Sequence, residues 1–251
     1  MEGSRMKSVV RSLDVLEIIS DHQPITVGEL TKLLDLPKST VQRTLVTLHE
    51  AGWLRQTSDS ITKWEISPKI LAIRPPALRD GELYAAARGP MAELRDATNE
   101  TVHLVLPNGD DGVILIDRAD CDQPVRSYSP LGYRSPYPTT ATGKAIMAYL
   151  SADEVARILH TVPADQFDVS SSSVASLTRD LARVRAVGYS LNLLEHRPGV
   201  CAIGAPILDA RQRPIASICI SIPSMRFDKA KVDEWATLTT GAAARISQSA
   251  S

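Results

Sequence analysis

Lys38, Ser39, Thr40, Gln42 and Arg43 crowd into the first part of LPKSTVQRTLVTLHEAGWLRQ, residues 36–56. Between and after them Val41, Leu45 and Leu48 recur at i, i+4 and i+7, which predicts a helix with one apolar face. At about 100° per residue, Ser39, Arg43, Thr47 and Glu50 then point the opposite way, with Thr40 and Gln42 on the flanks. These residue types suit the edge of a DNA major groove. Glutamine pairs with adenine, arginine with guanine or a phosphate, and small hydroxyls allow close approach. The first turns of a groove-seated helix are the part that reaches the bases, and its free amides suit phosphate. A merely solvated helix face is the competing reading, and the neighbouring elements decide between them.

Those elements form a recognisable order. In SVVRSLDVLEIISDH, Val9, Leu13, Leu16 and Ile19 predict one apolar helix face. After Pro24, ITVGELTKLLDL carries Thr26 as an N-cap, Glu29 three residues on, and Leu30, Leu33 and Leu34 facing inward. Asp35-Leu36-Pro37 is a tight turn, and Pro37 suits a helix start. The next helix runs from Lys38 to Glu50, with Gly52 able to take the left-handed position after its end. Residues 53–56 and 63–66 then predict two short strands, with Arg55 and Lys63 placed to touch the DNA backbone. Helix, helix, turn, helix and hairpin over residues 6–67 spell a winged helix-turn-helix.

Residues 68–84 are expected to be a linker, helix-like in SPKILAIR and broken at Pro75-Pro76. From 85 to 251 an α+β domain with a largely antiparallel sheet is expected. Leu83, Ala87, Met91 and Leu94 mark its first helix, weakened at Gly89-Pro90. TVHLVLP and GVILIDRAD flank Asn108-Gly109 as a hairpin. Short helices follow at 142–150 and 153–160, then a serine loop at 170–173, and a helix carrying Leu177, Leu181 and Val184 that ends at Gly188. GYSLNLLEH, VCAIGAPILD and PIASICISIP read as strands, and Asp228 caps a last helix towards Ile246.

Composition narrows the function. The formal net charge is −1, from 28 Lys/Arg and 29 Asp/Glu, so nucleic-acid binding has to come from a local surface. No apolar run approaches the roughly 18 residues of a membrane span, and MEGSRMKSVV lacks a signal-peptide core. A cytoplasmic location is expected. Cys121, Cys201 and Cys219 are odd in number and show no CxxC spacing, which predicts buried reduced thiols and neither metal nor cofactor. An enzyme is the weakest alternative. Cys201 lies near His196, but no orienting partner is evident, and TGKA is not a phosphate loop of the GxxxxGK[ST] type. A protein-interaction adaptor with a degenerate winged helix is the other alternative, opposed by Ser39, Thr40, Gln42 and Arg43.

SVVRSLDVLEII, LPKSTVQRTLVTLHEAGWL, ETVHLVLPNGDDGVILIDR, PVRSYSPLGYRSPYPTTATGKAIMAYL, VRAVGYSLNLLEHRPGVCAIGAPILDA and SICISIP occur in the order typical of IclR-type transcriptional regulators, and the chain resembles that family from about Met6 to Arg245. The resemblance implies a winged helix-turn-helix, a linker that helps dimerise, and a GAF-like effector-binding domain. It implies a dimer or dimer of dimers on double-stranded operator DNA, commonly a repressor of a catabolic operon, answering to a small organic acid or an aromatic catabolite. Carried over by position, the effector pocket is lined by Ser127, Tyr128, Thr140, Ala141, Thr142, Gly143, Asn192, Leu193, Cys201, Ala202, Cys219 and Ser221, while Glu195 and His196 stabilise the turn before Pro198. The family often has Cys at 202, Ser at 219 and an acidic run before Glu195. Ala202, Cys219 and Leu191-Asn192-Leu193-Leu194 stand there instead, which predicts a more apolar pocket.

Overall fold

Val41 and Leu45 are completely buried and Leu48 nearly so, and the first of two units closes around them. The computed structural model describes residues 6–57, 61–73 and 82–250. The chain divides into residues 1–79 and 80–251. Pro75-Pro76 lies outside the described residues.

In the first unit α1 spans Lys7–His22, α2 Val27–Leu34 and α3 Lys38–Glu50. Strands β1, Leu54–Gln56, and β2, Trp64–Ile66, pair antiparallel, and Ile25 adds a bridge to Trp64. Thr26 and Glu29 form the expected capping box at α2. Asp35 takes the left-handed conformation that turns the chain from α2 towards α3, and Gly52 sits at φ 80° beyond the end of α3. The core joins Val15, Ile19, Ile25, Leu30, Val41, Leu45, Leu48, Leu54 and Trp64.

Two inward assignments are corrected. Val9 and Leu13 are exposed, and α1 buries Val15 and Ile19 with Leu16 half-buried. Met6, Val9, Val10 and Leu13 form a second apolar stripe left open within this unit. Leu33 is also exposed, because α2 has only two turns and Leu30 with half-buried Leu34 takes its inner side. After β2, residues Pro68–Ala72 form a short 3-10 turn capped by Ser67.

The second unit is a six-stranded antiparallel sheet in the order β5-β4-β3-β8-β7-β6. Its strands are β3 Thr101–Pro107, β4 Val113–Ala119, β5 Arg134–Ser135, β6 Ser190–Leu193, β7 Val200–Leu208 and β8 Pro214–Pro223. Helices α4, Glu82–Thr98, and α8, Val232–Ser249, share a core with Val102, Leu104, Ile203, Ala205, Ile218 and Ile220 of the sheet. Pro90 sits inside α4 without ending it.

A second core gathers helices α5, Ala141–Met147, α6, Ala152–Thr161, and α7, Ser171–Val187, against Val105, Val113 and Leu115. Serines 171–173, expected in a loop, are the first turn of α7, because the Ser170 side chain accepts from the Ser173 amide and starts the helix early. Alternation along each strand separates the two layers: Val102, Leu104, Ile218 and Ile220 face α4 and α8, while His103, Val105, Cys219 and Ser221 face the other way.

Candidate DNA-contact helix and ligand cavity

Anchored by Val41, Leu45 and Leu48, α3 leaves Lys38, Ser39, Gln42, Arg43 and Thr47 exposed on its unit, with Thr40 half-buried. Among the described residues the side chains of Lys38, Gln42 and Arg43 have no ion pair or hydrogen bond. Thr47 donates to the Arg43 carbonyl at 2.9 Å, which leaves its oxygen free to accept. Pro37 precedes the helix and no side chain caps it; the Thr40 amide donates to the Pro37 carbonyl at 2.9 Å, which leaves the Lys38 and Ser39 amides unpaired. A 13-residue helix with an open N-terminus, one cation at its start and one on its outer face is suited to phosphate and base edges together.

The wing departs from expectation at Arg55. Its Nε and Nη2 reach Glu65 Oε2 at 2.9 and 2.8 Å, because the two residues are cross-strand partners. A phosphate there has to compete with Glu65 for the guanidinium. Lys63 is half-buried, and its main chain pairs with Thr57.

In the second unit a cavity lies between the sheet and the start of α5. Its enclosed space is small, about 80 Å³, below the roughly 300–1,000 Å³ usual for drug-sized sites. Register builds its floor. Asn192 pairs with Ala202, Ala202 with Ser221, and Ser221 with Thr101, giving one row across four strands. The adjoining row runs Ser190, Gly204, Cys219, His103. Gly204 is required there: a Cβ would fall 2.9 Å from the Ala141 carbonyl. Gly143 is held as tightly, since its Cβ would lie 2.3 Å from the Tyr137 oxygen. Gly204 lets the start of α5 sit directly on β7, and Gly143 lets α5 close against the backbone of the preceding loop at Tyr137, which together bring Thr140, Ala141 and Thr142 to the cavity wall. Asn192 donates to the Thr139 carbonyl and fixes the same junction.

Of the residues expected around a ligand, Ser127, Thr140, Ala141, Thr142, Asn192, Ala202, Cys219 and Ser221 line this cavity. Tyr128, Gly143, Leu193 and Cys201 do not. Leu193 and Cys201 are opposite each other in the β6–β7 register, one position out of phase with the lining row, so they face away. Tyr128 is exposed, with the Arg118 guanidinium 4.3 Å from its ring centre. Gly143 is spent on packing and on a hydrogen bond that its backbone N–H donates to Thr140 Oγ1. With Leu193 and Leu194 exposed, the apolar character expected of LNLL does not reach the cavity.

Sequence reasoning missed His103, Ser129, Tyr133, Arg197 and His196 as lining groups. The strand alternation of TVHLVLP placed His103 opposite Val102 and Leu104, a usable signal. The others come from loops whose approach no local pattern reveals. Arg197 is half-buried, 4.2 Å from the Tyr133 ring centre, with Nη1 at 3.3 Å from both the Tyr128 carbonyl and Ser129 Oγ. It has no carboxylate partner among the described residues, and no Asp or Glu lines the cavity. Its turn is tethered by Glu195, whose two carboxylate oxygens receive the buried Lys144 ammonium at 2.7 and 2.8 Å.

Burial, reinforced by the Arg118 charge, pushes the His103 imidazole down to about 4, so it is neutral near pH 7. Burial also lowers His196, whose Nε2 lies 3.3 Å from the Tyr133 hydroxyl. Cys219 is pushed up to about 12 by burial, and Cys201 is raised for the same reason. Both cysteines are therefore held as thiols, and His196 is engaged with Tyr133 rather than with Cys201. That is the reverse of an activated thiolate–imidazole pair. All three cysteines are free and buried. No metal-binding cluster and no helix long and apolar enough to cross a membrane occurs among the described residues.

Comparison with known proteins covers both units. The IclR helix-turn-helix domain matches residues 8–58, and the bacterial transcriptional regulator IclR C-terminal region matches residues 76–248. The HTH-type transcriptional regulator BhcR of Paracoccus denitrificans is 32% identical over 248 residues, covering 98% of this chain and 88% of its own. The transcriptional repressor IclR of Escherichia coli is 30% identical, covering 96% and 89%. Among solved structures, an IclR homologue from Microbacterium hydrocarbonoxydans, complexed with 4-hydroxybenzoate, superposes with a TM-score of 0.79 at 18% identity over 97% of this chain and 98% of that one.

Proposed function

Because this chain belongs to the IclR family of DNA-binding transcriptional regulators, we propose that it acts in the cytoplasm as a homodimer, or a dimer of dimers, that represses a catabolic operon until a small carboxylate fills the second unit's cavity. The observation that carries the reading is the division of α3: three buried aliphatic side chains hold it, and an unpaired Lys38, Gln42 and Arg43 are left outside. Arg43 and Gln42 read base edges, Ser39 and Thr40 set the approach, Lys38 and the open N-terminus hold phosphate, and Thr47, Lys63 and Arg55 flank. Two copies place their α3 helices in major grooves one turn apart, about 34–36 Å. The open stripe of Met6, Val9, Val10 and Leu13 on α1 is suited to a second copy.

The cavity supports a carboxylate effector through Arg197, a cation without an acidic partner on a wall free of Asp and Glu. The Microbacterium protein, which shares the fold, is complexed with a one-ring acid, 4-hydroxybenzoate. An effector releases DNA only through differential affinity for two arrangements of the dimer, typically about 1–3 kcal/mol of coupling. The test is a titration of the full chain against the DNA flanking its own gene, at several salt concentrations and with a panel of organic acids. Specific binding that weakens steeply with salt and is released by one acid is expected. Binding that ignores sequence and salt refutes the regulatory mechanism.

A further inference from the structure

Lys69 lies outside α3 and yet finishes it. The Ala51 carbonyl at the end of the helix accepts from the Lys69 ammonium at 2.6 Å. A helix C-terminus carries the negative end of the dipole and carbonyls that lack amide partners, and a lysine placed there satisfies both. The same ammonium lies 4.6 Å from the centre of the Trp53 ring. Its stem passes Gly52, where a Cβ would lie 3.5 Å from Lys69 Cδ. One residue earlier the main chain joins in. The Ser67 amide donates to the Trp53 carbonyl at 2.8 Å, and the Ser67 side chain accepts from the Lys69 amide at 3.3 Å. Positions 51, 52 and 53 directly after the helix are all touched by residues 67 and 69. A solvated lysine extends into water, whereas this one reaches back to the helix.

The place of Lys69 in the chain gives the contact its meaning. It belongs to the 3-10 turn Pro68–Ala72, on the way out of the first unit, which ends at Arg79. No residue of that turn is buried, and Ile70, Leu71 and Ile73 are exposed on this unit. The turn is therefore held to the unit by polar fastening and not by a core of its own. An element without buried side chains is displaced at small cost, and it carries along whatever it is bonded to.

The geometry points to Lys69 as a positioning residue for regulation: it fastens the outgoing chain to the C-terminal end of α3, so that displacement of that chain by the second unit shifts the reading helix. This rests on the reading that α3 binds DNA under the control of an effector in the second unit. What it adds is the contact through which that control reaches the helix.

Coupling between two sites is reciprocal, so it can be read from the DNA side without knowing the effector. Hydrogen exchange of the full chain is followed on peptides from α4, Glu82–Thr98, with and without a saturating duplex of the DNA flanking its own gene. The variants are Lys69→Met, which keeps the stem and removes the donor, and Lys69→Arg, which keeps a charged donor. Lys69 is exposed, so both should fold as wild type does, and urea midpoints verify it. In wild type the duplex should change exchange in these peptides by at least about fivefold, the low end of ordinary coupling. Lys69→Met should bind the duplex within about threefold of wild type while its response falls below about twofold, and Lys69→Arg should keep most of the response. A full response in Lys69→Met, or none in wild type bound to the duplex, overturns the assignment and leaves DNA binding by α3 standing. So does a Lys69→Met variant whose operator affinity falls in step with its response, because Lys69 then only stabilises α3. If wild type shows no specific binding to the duplex, the DNA reading itself falls and the inference with it.

Discussion

The Lys144–Glu195 pair should respond asymmetrically to removal of its two halves. The Lys144 side chain is 4% exposed and that of Glu195 40% exposed. Replacing Glu195 by Gln strands a buried ammonium. Breaking a fully buried pair in this way costs roughly 3–5 kcal/mol, and the solvent that reaches Glu195 reduces this to about 2 kcal/mol. Replacing Lys144 by Met removes the buried charge and keeps the apolar stem, while Glu195 rehydrates, so the cost should stay below about 1 kcal/mol. Hydrogen exchange of the full chain, read on peptides covering residues 141–150 and 189–197, measures the difference. Exchange should accelerate about thirtyfold in Glu195→Gln and less than about fivefold in Lys144→Met, at roughly 1.4 kcal/mol per decade. Peptides from residues 38–50 serve as the internal control. A Lys144→Met variant that exchanges as fast as Glu195→Gln would refute the argument that burial of the cation, rather than the pair itself, sets the cost.

Three other outcomes follow from the same geometry. Leu45→Ala, at a fully buried position in the first unit, should lower its stability by about 2–5 kcal/mol in urea unfolding. Lys38→Ala should reduce the slope of log binding constant against log salt by about one phosphate's worth, roughly 0.9, without changing base preference. His103 is depressed from 6.5 to about 4 in the fold. The unfolded chain therefore binds the extra proton between those values, and stability falls as pH drops through that window. Taking the chain from pH 7 to pH 5 should cost about 2 kcal/mol from this group, at about 1.36 kcal/mol per unit, and His103→Gln should remove that part of the slope in paired denaturation curves.

Helix periodicity made α3 legible because its apolar and polar residues do not overlap in angle. α1 was misread for the opposite reason. SVVRSLDVLEII carries two apolar stripes, Val9 with Leu13 and Val15 with Ile19, and periodicity alone does not say which one meets the core. In the sheet, alternation placed residues on a face only once the register was known. Asn192, Ala202 and Ser221 were assigned in phase, whereas Leu193 and Cys201 were one residue out. Arg197 and Tyr133 reach the cavity through tertiary contacts, above all the Lys144–Glu195 tether, which join segments about fifty residues apart. Arg55 was expected free because its cross-strand partner, Glu65, depends on hairpin register.

The most direct measurement is a cycle between Arg43→Ala and single base-pair replacements across the operator, read as equilibrium binding at fixed salt. Wild type should lose about 1–3 kcal/mol on replacement of one G·C pair in each half-site, and Arg43→Ala should lose the same amount overall while becoming indifferent at that pair alone. If Arg43→Ala binds every sequence as wild type does, or weakens all of them equally with the G·C preference intact, α3 does not read bases through its outer face.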